Sequence, residues 1–199
     1  MPAVESLLEY DVGVLLDLLA QPDSAPAAGS AAALVTAAAA ALLAKVARSS
    51  GGDWDGAEAA SAQAESLRAR VLPLAQADAQ AYAAAVERLA DRGGSRSEQS
   101  DFRLGRALDD AAEVPLRIAD AAADVTELAA LVAAHGQADV QADAVVAAIL
   151  AEACTRAAAH LVGVNLAVGA EHERARSARA ATAAAASALE RATSVAPGL

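Results

Sequence analysis

Roughly a third of this 199-residue chain is alanine, and aromatic residues make up only 2% of it. Alanine is the strongest helix former and a weak strand former. A chain so rich in it has one economical solution, a set of closely packed helices. The predicted fold class is all-α, a single-domain bundle of about six helices spanning 1–199, since a chain of this length defaults to one domain. The same composition excludes an all-β fold. It also excludes a nucleic-acid binder that stacks bases on aromatic side chains.

Acidic residues number 26 and basic residues 15, a net charge of −11. Such a chain repels phosphate backbones and anionic lipid, so neither nucleic acid nor membrane is an expected partner. The single cysteine, Cys154, fits a reducing compartment and forms no disulfide framework. Glu5, Glu9 and Asp11 interrupt the apolar start, so no signal peptide is read, and the expected location is cytoplasmic. The most continuous apolar run, Ala31 to Ala44, has the length of a core helix rather than a membrane span.

Apolar spacing predicts helices over about Val4–Ala20, Ala31–Ala47, Asp55–Ala90, Phe102–Ala134, Gln141–Val168 and Glu171–Val195. Pro22 and Pro26 mark a loop after the first, with Ser30 a candidate N-cap for the second. That second helix is apolar nearly all round and should lie at the centre. Pro73 and Pro115 sit inside long helical patterns and should kink or divide them. Gly93-Gly94-Ser95 is the clearest break, and Gly136 is a C-cap signal. Alanine buries little area per residue, so one subunit has a thin core, and a C2 homodimer is expected.

No phosphate-binding loop, dinucleotide fingerprint or zinc motif is present, and His135, His160 and His172 are widely separated, so no metal site is expected. Pro26 to Ser30 opens the second helix with small residues, which either expose N–H groups to a ligand or simply let helices pack. Asp78 and Tyr82 are four apart on one helix face among alanines. Asp78 is thus either a solvated surface carboxylate or one whose desolvation suits it to acid–base work. Asp143 falls in the first turn of the fifth helix, where a capping role is sufficient explanation. Asn165, between Val164 and Leu166, is a structural bridge or a ligand contact.

Five segments in order resemble the cyclodeaminase and methenyltetrahydrofolate cyclohydrolase family, which includes the C-terminal domain of formiminotransferase-cyclodeaminase. They are Val14 to Ala20; Pro26 to Ala33, similar to P-G-G-G-S followed by small residues; Asp78-Ala79-Gln80-Ala81-Tyr82; Ala111 to Leu116, close to A-A-x-V-P-L; and Gly136 to Asp143 followed by Val164-Asn165-Leu166. The resemblance implies an all-helical dimer acting on a tetrahydrofolate derivative as substrate, with no covalently bound cofactor. The reaction is either cyclodeamination of 5-formiminotetrahydrofolate, a lyase step, or hydrolysis of 5,10-methenyltetrahydrofolate. By position it makes Asp78 the catalytic acid–base and Gly29, Ser30, Tyr82, Asp143 and Asn165 ligand-binding residues.

The chain departs from the family pattern in three places. Ala27 and Ala28 stand for two of the three glycines. Gly51-Gly52-Asp53-Trp54 replaces a basic stretch. Gln137-Ala138-Asp139 replaces an N-x-N pair. A non-catalytic or substrate-divergent helical dimer, binding a small molecule or a partner protein, is therefore the competing reading. Asp143 and Asn165 are 22 positions apart, about 33 Å along one straight helix. One pocket in one subunit cannot span that. Either the helix breaks near Gly163, or there are two sites, or a second subunit completes the pocket.

Overall fold

The computed structural model describes residues 6–22, 26–90, 98–166 and 172–195, with 88–90 and 98–110 as backbone alone. Among these residues there are six α-helices and no strand: α1 Val12–Ala20, α2 Ala28–Ser49, α3 Ala57–Ala90, α4 Glu98–His135, α5 Gln141–Leu166 and α6 Glu173–Ser194. The expected first helix is split. Leu7–Glu9 form a 3-10 turn, the chain extends at Tyr10 and Asp11, and α1 follows. The expected Gly93–Ser95 break lies outside the described residues.

Side-chain pairs fix the directions of the five long helices. Arg48 reaches Glu65 and Ser30 reaches Ala75, so α2 and α3 are antiparallel. Asn165 meets Ala111 and Gln141 meets Ala133, so α4 and α5 are antiparallel. Arg174 pairs with Glu113 and Arg191 with Glu127, so α4 and α6 run the same way. Helix α4 touches α2, α3, α5 and α6 and is the axis of the bundle. This corrects the expectation that α2 is central. Helix α2 flanks α4, and one side of it is bare, with Val35 exposed. It reads as apolar all round because its outward face is apolar too.

The interior consists largely of methyl groups. Ala39, Ala40, Ala64, Ala129, Ala133, Ala147, Ala148 and Ala188 pack around Leu43, Val46, Val125 and Val132. Small side chains let helix axes approach closely. Buried Thr36, Thr126 and Thr155 turn their hydroxyls back to the carbonyls four residues earlier, so no polar atom is stranded there. Helices α2 and 138–166 are long and apolar enough to cross a membrane, but 61% and 50% of those stretches are buried in the bundle. Their hydropathy is that of helices packed against neighbours.

Gly136 closes α4 through its N–H to the Val132 carbonyl at 2.8 Å. A Cβ there would stand 2.7 Å from that oxygen and 3.0 Å from Val46 Cγ1. Glycine is needed chiefly because the chain folds back on that carbonyl of α4, with α2 close beside it. The Ser50 hydroxyl bridges the same seam, donating to the Val46 carbonyl and accepting the Gln137 N–H at 2.9 Å.

Neither internal proline divides its helix. Pro115 is fully buried, and lacking an N–H it leaves the Ala111 carbonyl, four residues back, without its helical donor. Asn165 Nδ2 donates to that carbonyl at 2.9 Å. One amide thus repairs the defect in α4 and ties α5 to it. Replacing Asn165 by Ala should cost about 1–2 kcal/mol, a drop of several degrees in Tm. In a Pro115→Ala background the restored N–H should take up the Ala111 carbonyl. The Asn165→Ala cost should then shrink, and a double-mutant cycle by thermal unfolding measures that coupling.

Candidate functional site

The first turn of α2 and the middle of α3 meet where Gly29, Ser30 and Asp78 converge. Helix α2 begins after Ala27, which has extended backbone and no side chain able to cap. Ser30, expected as the N-cap, instead lies inside the first turn, with its hydroxyl turned to α3. A helix start leaves N–H groups unpartnered. The Asp78 carboxylate from α3 meets them, accepting the Ser30 backbone N–H. It caps α2 from outside.

The contact requires glycine. A Cβ on Gly29 would fall 2.1 Å from Asp78 Oδ1 and 2.5 Å from its Cγ. Of the positions matching the three family glycines, the one lying against the carboxylate has kept its glycine. Ala28 is exposed, and Ala27 sits at ordinary negative φ. The two losses therefore leave the approach of α2 to Asp78 intact.

Asp78 is 7% exposed, with Ala75 and Ala79 buried on either side of it. Of the two readings that the sequence left open, a solvated surface carboxylate and a desolvated one, the fold shows the desolvated one. Burial pushes its proton affinity above the ordinary carboxylate range, while the Ser30 hydroxyl and N–H pull the other way. Ser30 Oγ lies 2.8 Å from the Ala75 carbonyl and 3.1 Å from Asp78 Oδ2. One hydroxyl proton faces two acceptors. When Asp78 carries a proton, its O–H donates to Ser30 and Ser30 donates to Ala75, so both contacts are satisfied at once. The arrangement therefore favours the protonated carboxyl more than a solvated site would.

Tyr82, one turn further along α3, is half exposed and extends the same face outward. Asn165 lies at this end of the bundle, with Nδ2 engaged by α4. Asp143 does not. It pairs with Lys45 at 2.6 Å, and Lys45 is fifteen residues beyond Ser30 on α2, about 22 Å away. Helix α5 is continuous from Gln141 to Leu166, with Gly163 inside it in open space. A break before Asn165 is thus excluded, and the expected site residues occupy two opposite ends of the subunit.

Around Asp143 the far end holds Trp54, stacked on His135 with ring centroids 5.4 Å apart, and Gln137, which donates to Asp53 at 2.5 Å. The segment standing where the family has a basic stretch is folded down on the end of α4. Among the described residues no group of three His, Cys, Asp or Glu side chains could hold a metal ion.

Two participants went unread in the sequence. Lys45 is a lone base in an apolar run, and nothing local marks Asp143, 98 positions away, as its partner. Gln76 accepts the Leu7 N–H at 2.8 Å and has a buried Nε2 without a partner. It anchors the N-terminal segment two residues from Asp78.

The family model for formiminotransferase-cyclodeaminase matches residues 11–184. The fold is similar to the crystal structure of formiminotetrahydrofolate cyclodeaminase from Thermotoga maritima, with a TM-score of 0.81 and 21% identity over 96% of this chain and 97% of that one. No curated protein matches the sequence significantly.

Two outcomes test the geometry. Gly29→Ala places the better helix former at a helical position, worth about 1 kcal/mol by propensity. It should nevertheless destabilise by about 1–3 kcal/mol, because the methyl group must displace the Asp78 carboxylate; thermal unfolding reads the sign. Asp78→Asn should act in the opposite direction. A carboxyl whose folded-state proton affinity is raised adds no penalty at pH below its unfolded value, where both states are protonated. Stability is lost as pH rises through the folded value. The Asn variant should therefore melt above wild type at neutral pH, with the gap closing in acid.

Proposed function

Because the chain belongs to the formiminotransferase-cyclodeaminase family, we propose that it is an enzyme of folate one-carbon chemistry with Asp78 as its acid–base group. The observation that carries this reading is the buried Asp78 carboxyl, held against Gly29 and Ser30 at the start of α2 with its proton affinity raised. A carboxylate kept in an apolar wall is a stability burden that a purely structural cap does not need.

The proposed reaction is cyclodeamination of a 5-formiminotetrahydrofolate-like amidine. Starting from the protonated amidine, the N10 lone pair bonds to the formimino carbon, and the carbon–nitrogen π pair moves onto the exocyclic nitrogen. Asp78 takes the N10 proton and returns it to that nitrogen, which leaves as ammonia with the pair of the broken bond. The cationic methenyl bridge remains, so charge balances. Run on the methenyl compound, the same carboxylate would take a proton from attacking water. A group that serves as base and then acid works best with its proton affinity near the working pH, and burial moves Asp78 that way. Gly29 and Ser30 hold the carboxylate, and Tyr82 offers an aromatic face beside it for the substrate's ring.

The substrate is proposed to be a small folate-like molecule in a cytoplasmic setting. The second subunit is proposed to be a copy of the same chain. In a two-fold dimer with helices crossing antiparallel, the Lys45–Asp143 end of one protomer meets the Asp78 end of its partner. That would reunite the residues one chain separates.

The charge pattern favours the competing reading, a substrate-divergent or non-catalytic dimer. Lys45, Arg48, Arg68 and Arg70 all engage carboxylates of the same subunit. The segment Gly51–Trp54 holds no cation for a folate's carboxylates. Following the methenyl chromophore with both formimino- and methenyl-tetrahydrofolate separates the two readings. Wild type should turn over at least one of them, and Asp78→Asn should lose that turnover with its helix content unchanged. Wild-type rates in the Asn variant would remove Asp78 from the chemistry.

A further inference from the structure

Ser30 has no exposed surface. Alanine, the better helix former, would fill its place as well, and it stands at Ala31, Ala32 and Ala33 just beyond. What serine adds is a hydroxyl. That hydroxyl lies 2.8 Å from the Ala75 carbonyl and 3.1 Å from Asp78 Oδ2, both on α3. The start of α2 does not depend on it, because the Ser30 N–H is already met by the Asp78 carboxylate. The Ala75 carbonyl does not depend on it either. Inside a continuous α3 that carbonyl accepts the N–H of Ala79. The acceptor that gains most from the hydroxyl is the carboxylate.

A hydroxyl has one proton to give. When Asp78 is ionised, that proton goes to the carboxylate, since a bond to an ionised acceptor is about twice as strong as one between neutral groups. When Asp78 is protonated, its O–H donates to Ser30 Oγ and the hydroxyl turns to Ala75. Each state of the acid has a partner, and only the hydroxyl hydrogen moves between them. The stronger bond belongs to the ionised state, so Ser30 opposes the effect of burial on Asp78.

Among the described residues no charged group shares that task. The titratable or charged side chains of the surrounding elements are Glu9, Tyr10, Asp11 and Asp17 of the N-terminal segment, Tyr82 of α3, Glu113 and Arg117 of α4, and His160 of α5. Glu113 is engaged by Arg174 of α6. The proton affinity of Asp78 responds instead to burial and to the hydroxyl and N–H of Ser30. We propose that Ser30 is a positioning residue for Asp78, its hydroxyl turning from the Ala75 carbonyl to the carboxylate as the proton leaves, so that a buried acid can still release it. This rests on the acid–base role proposed above for Asp78 and goes beyond it in naming the group that keeps the proton exchangeable.

The test titrates Asp78 with and without the hydroxyl. Its protonated form is read without substrate, as the infrared carbonyl band that disappears when Asp78→Asn is added to a given background. In Ser30→Ala the midpoint of that band should rise by about one pH unit, because the ionised acceptor loses a stronger bond than the neutral carboxyl does. Ser30→Thr, which keeps a hydroxyl, should hold the wild-type midpoint. With the folate substrate, the acid limb of kcat should move up by the same amount in Ser30→Ala, with KM unchanged. A hydroxyl that merely ties α2 to α3 would lower Tm equally at every pH and leave the midpoint in place, which overturns the proposal. A midpoint that falls overturns it too, since the hydroxyl would then serve the protonated state. A wild type that turns over neither formimino- nor methenyl-tetrahydrofolate overturns the reaction proposed for Asp78. The infrared midpoint needs no substrate and decides the part of Ser30 separately.

Discussion

Everything in this bundle follows from how little a buried alanine covers. A methyl side chain removes a fraction of the area that leucine or phenylalanine would, so the hydrophobic stabilisation per residue is small. The fold answers with number and proximity. Helix α4 is surrounded by four others, and its long run of buried alanines lets each of them come close. Residues that would be ordinary elsewhere become exacting here. Gly136 stays a glycine because the chain folds back tightly on the end of α4, and Gly29 because a carboxylate is near.

Close approach also makes the Asp78 arrangement possible. A helix start with no capping side chain of its own, a glycine and a serine in its first turn, and an aspartate arriving from the neighbouring helix produce a carboxylate that is both buried and partnered. Helix capping alone would be served as well by an uncharged acceptor such as Asn. Burial is what raises the proton affinity of the carboxylate. The same contact thus joins two elements of the fold and keeps a carboxylate buried at their meeting point.

Much of this was legible in the sequence. Helical spacing placed the six helices within a few residues of their ends, apart from α1, because alanine propensity and the breakers agree. Asp78 among alanines left open whether the carboxylate is solvated or desolvated, and only the fold shows it buried. What could not be read was contact between distant elements. Ser30 looked like a cap by its position before an apolar run, yet its hydroxyl is drawn to Ala75 and Asp78, 45 and 48 positions away. Asn165 was recognised as needing a partner, but only the structure shows that Pro115 creates the carbonyl it serves. Helix α2 misled because a face bare in the subunit and a face buried in it have the same composition.

The lone tryptophan of the chain stands on His135 at the end of the bundle opposite Asp78. A single indole in a sequence with only two tyrosines and one phenylalanine is an uncrowded optical label. Its emission reports on one place, the seam where the end of α4 meets the residues leading into α3. Asp78 is remote from it, whereas any event at the Lys45–Asp143 end occurs within its surroundings. The protein thus comes with a built-in fluorophore that distinguishes its two poles, and ligand arriving at one pole can be told by light from ligand arriving at the other.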